Sequence, residues 1–253
     1  MVAKLKKFKN TGIITAIALS AISVVTVYII FSDMTKFVAT ENVSVSEQLE
    51  TIDSSTTIIH SEQDDGENWM LVLINHEDPL PDDYSPGLKS LDNGLKFDER
   101  VIHHLNAMLS TAKEQGLFPV VASAYRTIEY QRTLFNNHIS KLTASGLDRD
   151  QAVMETRRSI RDPGTSEHNL GLAADIVSGE YQLLDEKQSE TPEAKWLFDH
   201  CAEYGFILRY PKGKEGITGI KFEPWHYRYV GIEAARVIME NDLCLEEYLY
   251  RSE

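Results

Sequence analysis

Residues Asp162–Val177 read "DPGTSEHNLGLAADIV". The stretch carries a histidine, His168, and a carboxylate seven residues later, Asp175. Gly171 lies between them and Gly164 ahead of both. On a helix, positions seven apart share a face; on an unbroken strand an odd offset puts them on opposite faces. Gly171 interrupts any helix here, and a turn at that glycine would fold His168 back over a strand bearing Asp175. An aspartate inside the apolar "LAADIV" is itself unusual, because a buried carboxylate is costly unless it is paired or holds a metal. Taken alone, a His–Asp hydrogen bond that stabilises a turn accounts for this pair equally well.

A second stretch extends the pattern. In "FEPWHYRYVG", Phe222–Gly231, Glu223 and His226 are three apart, and Pro224 forces the chain to extend between them. A catalytic zinc site needs three protein ligands and an open fourth position for water. It also needs a carboxylate that is not a ligand, to move the proton of that water. His168, Asp175 and His226 would supply the ligands and Glu223 the base. The other six histidines read as surface or structural residues. His60 falls in a polar stretch, His76 in a turn, His103 and His104 off the apolar stripe of a helix, and His138 and His200 in helices without a neighbouring acid pattern.

"SEHNLGLAAD" together with "EPWHYRYVG" resembles the zinc D-alanyl-D-alanine carboxypeptidases of the VanY type. "SAYRTIEYQ" (Ser123–Gln131), "YGFILRYPKGKEGITGIKFEPWHYRYVG" (Tyr204–Gly231) and "LEEYL" (Leu245–Leu249) extend the likeness. It runs from about Trp69 to Glu253 and implies one zinc ion held by His168, Asp175 and His226, with Glu223 as acid/base. It also implies that Arg126 stabilises charge at the scissile carbonyl or holds a substrate carboxylate, and that Gln131 and Ser166 line the substrate cleft. An arginine suits either role, being a permanently charged planar fork. The other reading of Ser166 is a helix or turn cap. Arg209 and Tyr210 in "ILRYP" are expected to pack and pair around the sheet. The implied substrate is a peptidoglycan stem peptide or its precursor, and the implied state a monomer. An L,D-carboxypeptidase and a non-catalytic wall-peptide binder are the rivals.

Composition fits a globular protein. The 253 residues are 42% hydrophobic, enough for one large domain or two small ones. Lys4, Lys6, Lys7 and Lys9 lie within the first ten residues; without them 21 basic residues face 39 acidic ones. Such a body lacks the basic face that nucleic acid requires. Residues 11–31, "TGIITAIALSAISVVTVYIIF", carry no charge. About 20 apolar residues span a bilayer, whereas the apolar core of a cleaved signal peptide is roughly 7–15 residues. The expected order is a cytoplasmic basic tail (1–10), a transmembrane signal anchor (11–31), a polar stalk (32–66) and an extracellular zinc domain (67–253).

Within that domain, strands are expected at "WMLVLIN", "FPVVASAYR", "LAADIV", "FILRY" and "HYRYV". One helix follows Asp98 as N-cap, with Ile102, Leu105, Leu109 and Ala112 as its buried stripe and Gly116 closing it. Thr127 caps the next, a third runs from about Asp148 to Arg161, and a fourth has Pro192 near its start. "GIEAARVIMEN" reads as a final helix. The fold class is α+β: an antiparallel sheet with helices packed around it, a single zinc site in a cleft, and a transmembrane helix ahead. Cys201 and Cys244 match no metal-binding spacing and are expected as buried thiols or a disulfide.

Overall fold

The computed structural model describes residues 68–75, 79–81 and 84–251, all within the unit Glu62–Glu253. The basic tail, the uncharged run 11–31, the whole segment 32–66, and with it His60, lie outside the described residues, as does His76. Among the described residues no helix is long and apolar enough to cross a membrane.

A short antiparallel pair opens the domain, β1 (Leu88–Ser90) with β2 (Lys96–Asp98). Helix α1 (Ile102–Glu114) buries Ile102, Leu105, Met108, Leu109 and Ala112, the apolar stripe that the periodicity predicts. Strand β3 (Pro119–Ser123) leads into α2 (Ile128–Ala144), capped by Thr127 Oγ1, which accepts from Tyr130 N at 3.1 Å. Helix α3 (Arg149–Arg157) starts on a capping box at Asp148 and Gln151. After one helical turn, α4 (Glu167–Leu170), come β4 (Ala173–Ser178), α5 (Pro192–His200), β5 (Phe206–Leu208) and the short α6 (Glu215–Thr218). Strand β6 (His226–Tyr229), α7 (Ile232–Glu240) and α8 (Leu245–Arg251) complete it.

The main sheet has the order β3-β4-β6-β5, and every neighbouring pair is antiparallel. Side chains alternate between its faces. On one face Ala174, Ile176, Phe206, Leu208, Tyr227 and Tyr229 join the core with Leu105, Met108 and Leu197 of α1 and α5. Burying one such leucine contributes roughly 1.5–3 kcal/mol. The alternation turns Asp175, His226 and Arg228 to the other face, where all three are still buried. A polar set on a covered sheet face is what makes this face the functional one.

The α+β class with an antiparallel sheet and surrounding helices holds, with local corrections. "WMLVLIN" is no strand: Asn68–Met70 form a single 3-10 turn and the rest is irregular. Without a partner strand a short apolar run gains no ladder hydrogen bonds, and Leu71 and Leu73 pack against the α7 cluster instead. Asp98 does not cap α1; the cap is Val101. The Asp98 carboxylate instead accepts from the backbone N and guanidinium of Arg100, a tight turn that delays the helix. The helix expected to reach Arg161 ends at Arg157. Cys201 and Cys244 are free buried thiols, pushed up by burial to about 12 and about 11.

Candidate metal centre

Strand pairing places the first two groups. Asp175 of β4 stands directly opposite His226 of β6. The third arrives by the turn the sequence suggests. Gly171 closes α4 with a left-handed φ of +80°. A side chain there would be strained, and its Cβ would come within 3.3 Å of Leu88. The reversal carries His168 over Asp175. It is held by Arg126 N donating to His168 O (3.1 Å) and Asn169 Nδ2 donating to Arg126 O (2.7 Å).

One ligand atom from each of His168, Asp175 and His226 lies within 4.8 Å of the other two, and all three residues are buried. Asp175 Oδ1 is 3.2 Å from His168 Nε2 and 3.0 Å from His226 Nδ1. The far nitrogens are spoken for. His168 Nδ1 donates to Ala124 O at 2.7 Å, and His226 Nε2 faces Glu167 Oε2 at 3.4 Å. These bonds orient the rings so that the inward nitrogens are the ones left for a metal, His226 once it has given up its inward proton. Two imidazoles and a carboxylate, with outer partners in place, fit zinc.

Charge in the pocket is set by burial and by partners. Burial pushes the His168 ring down, and the Arg126 cation adds to it, leaving its pKa at about 4. Burial also acts to lower His226, but its hydrogen bonds to Asp175 and Glu167 outweigh that and hold it up at about 9. Burial would raise Asp175, yet His168 and Arg126 hold it well below the usual carboxylate range. Glu223 keeps the effect of burial, opposed only partly by His226, and is pushed up to about 8.

Glu223 is 7% exposed, and its Oε2 lies 3.8 Å from His226 Nδ1. The turn around Pro224 is closed by His226 N donating to Glu223 O at 3.1 Å. Glu223, the three metal-binding residues, Arg126, Gln131 and Ser166 all line one cleft of about 490 Å³. Arg126 reaches Asp175 Oδ2 through Nη2 (2.6 Å), Ser123 Oγ through Nε (2.9 Å) and Gln131 Oε1 through Nη1 (3.4 Å). Ser166 occupies the N-cap position of α4 without a side-chain cap hydrogen bond, and it lines the cleft.

Two features escape the sequence reading. The first is Glu167, whose carboxylate backs His226 and pairs with Arg209 Nε (2.7 Å) and Arg228 Nη1 (2.9 Å), all three buried. Arginines inside the strand-like runs "FILRY" and "HYRYV" were the available signal; Arg209 does pair around the sheet as expected. The second is the cleft wall, to which His138, Arg161 and Tyr210 contribute. His138, read as structural, bonds Thr156 Oγ1 at 3.0 Å while facing the cleft.

A His–Asp–His zinc site on the polar face of an antiparallel sheet, with a buried glutamate beside it in an open cleft, defines a zinc metallopeptidase. Comparison with known proteins narrows the class. Residues 94–232 match the family model "VanY: D-alanyl-D-alanine carboxypeptidase". A D-alanyl-D-alanine carboxypeptidase of Enterococcus faecalis (strain ATCC 700802 / V583) is 41% identical over 198 residues, covering 78% of this chain and 72% of that protein. Among solved structures, VanYB in complex with D-alanine-D-alanine superposes with a TM-score of 0.67 at 40% identity, over 73% of this chain and 99% of that one. The LdcB LD-carboxypeptidase gives 0.61 at 35% identity, over 70% and 84%. This chain belongs to the VanY family of D-alanyl-D-alanine carboxypeptidases.

Proposed function

We propose that the protein removes the C-terminal D-alanine from peptidoglycan stem peptides ending in D-Ala-D-Ala. The observation that carries this is the Glu223 carboxylate, buried 3.8 Å from His226 in the cleft that also holds Arg126 and Gln131. When bound by His168, Asp175 and His226, zinc supplies a Lewis acid and lowers the pKa of water. Glu223 accepts the proton of the attacking water and returns it to the departing amine of D-alanine. A carboxylate poised near neutrality serves both halves of that transfer. Arg126, braced on Asp175, presents its remaining edge to charge developing on the carbonyl oxygen, an electrostatic contribution that is often large.

An L,D-carboxypeptidase acting on tetrapeptide stems would use the same residues. The higher identity to VanYB than to LdcB supports D,D-specificity. Incubation with defined tri-, tetra- and pentapeptide stems, followed by mass analysis, tests the choice. Loss of one alanine from the pentapeptide alone is expected; loss from the tetrapeptide alone would transfer the protein to the L,D class. The basic start and the uncharged run 11–31 support a single-pass enzyme whose catalytic domain faces the wall. Protease treatment of intact cells checks this, since an outward domain is cleaved while the cell remains sealed.

A further inference from the structure

The match to the family begins at residue 94, yet the chain reaches the metal centre from well ahead of it. Arg228 of β6 is a wholly buried cation, and its Nη2 donates to two backbone carbonyls, Met70 O and Val72 O, at 2.9 Å each. Its Nε donates to Tyr229 O at 2.9 Å. Nη1 lies 2.9 Å from Glu167 Oε1, but among the described residues it makes no aligned hydrogen bond. The carbonyls therefore fix where this guanidinium stands, and its charge in turn holds Glu167. The other oxygen of Glu167 faces His226 Nε2 at 3.4 Å. A line of polar contacts thus runs from the backbone of residues 70–72 to a metal-binding histidine.

A second line reaches the other histidine. The Arg100 guanidinium stacks 3.4 Å from the centre of the Trp69 ring. Arg100 clamps the buried Asp98 carboxylate through Nε (2.9 Å) and Nη2 (2.6 Å). Asp98 N donates to Gly171 O at 3.0 Å, in the turn that carries His168. Apolar packing keeps the segment in place. Leu71 and Leu73 pack against the cluster of Val230, Ala235 and Ile238, and a Cβ at Gly231 would come within 3.3 Å of the Met70 sulfur. A buried arginine stripped of its carbonyls must find other acceptors, because an unpaired buried donor is costly. Glu167 is the anion already beside it, and any shift there moves the group that orients His226.

Resting on the zinc site of the reading above, we propose that residues 69–74 are a strap that completes the metal centre, and that Arg228 is the positioning residue through which it acts. The metal-binding unit thus begins at the strap, and unseating the strap loosens zinc without touching a ligand.

The test uses the full chain and reads zinc affinity by competition with a chelating dye, alongside denaturant unfolding. Leu71→Ala/Leu73→Ala unseats the strap and leaves every polar group of the site in place. Its zinc affinity should fall about tenfold, the low end for loss of a metal ligand's outer partner. Arg228→Lys keeps a cation beside Glu167 but cannot bridge two carbonyls and a carboxylate, and it should lose as much. Combining the two should cost no more than the worse of them, since groups that act through one another are not additive. Leu109→Ala, in the core under α1, should lower stability and leave zinc affinity unchanged. Unaltered affinity in a folded strap variant overturns the proposal. So do additive losses, which take Arg228 out of the path, and an equal loss in Leu109→Ala, which reduces the effect to general loosening. Where the double alanine variant does not fold, Leu71→Val/Leu73→Val reads the same coupling against the same control. The titration needs no substrate, so failure to hydrolyse wall peptides would sink the carboxypeptidase reading and not this one.

Discussion

Glu167 Oε1 lies 2.7 Å from Arg209 Nε, in an ion pair wholly shut off from water. The same oxygen faces Arg228, the second oxygen faces His226, and the far edge of Arg209 is bidentate to Glu246 of α8 at 2.6 and 2.9 Å. The network ties the C-terminal helix to the back of the zinc site. Burial would raise the Glu167 pKa, but Arg209 and Arg228 hold it well below the usual range. The two guanidinium groups therefore favour its charged form.

Glu167→Gln keeps the shape and removes the charge, leaving two buried cations with one anionic partner between them. Breaking a buried pair in this way costs about 3–5 kcal/mol. The loss of the group that orients His226 should weaken zinc binding about 10- to 100-fold. Denaturant unfolding and zinc titration read the two effects separately. Unchanged zinc affinity would reduce Glu167 to a purely structural residue.

Glu223→Gln removes the proposed proton carrier from the cleft and no ligand. The variant should bind zinc normally while kcat falls by about 10²–10⁴-fold. Wild-type turnover would exclude Glu223 from the mechanism.

Arg126→Lys preserves the charge and loses the fork that spans Asp175 and Ser123 at once. The expected loss lies mainly in kcat, on the order of 10²-fold, as for removal of one oxyanion donor. A change confined to KM would instead make Arg126 a substrate anchor.

Chelation should abolish activity, added zinc should restore it, and pH should move the metal-free and zinc-loaded forms in opposite directions. In the metal-free protein His226 is raised from 6.5 to about 9. Its contribution to stability is full below pH 6.5 and lost as pH rises through 9. Glu223, raised from 4.5 to about 8, loses its contribution over that rise. His168, lowered to about 4, takes stability away as pH falls from 6.5 through that value. Metal-free protein should thus be most stable on the acid side of neutrality. Zinc must displace the His226 proton, so its affinity should grow about tenfold per pH unit below 9. Melting temperatures with and without chelator should diverge as pH rises from 6 to 9; parallel curves would mean that His226 carries no proton to displace.

By itself the sequence determined the local devices, because each depends on neighbours along the chain. Thr127 caps α2, Gly171 supplies the left-handed turn, Pro192 opens α5, and the stripe from Ile102 to Ala112 buries one helix face. The likeness of two short motifs was enough to name the three zinc ligands and to point to Glu223. Local pattern misled where a longer-range partner decided the outcome. Asp98 was taken by Arg100 instead of a helix end, and "WMLVLIN" found no strand to pair with. Only the tertiary structure set Asp175 opposite His226, sank Glu167 between two arginines, and brought Arg161 and Tyr210 to the cleft wall. Those relations join residues up to about sixty positions apart, and burial, which no single segment encodes, is what turns them into altered pKa values.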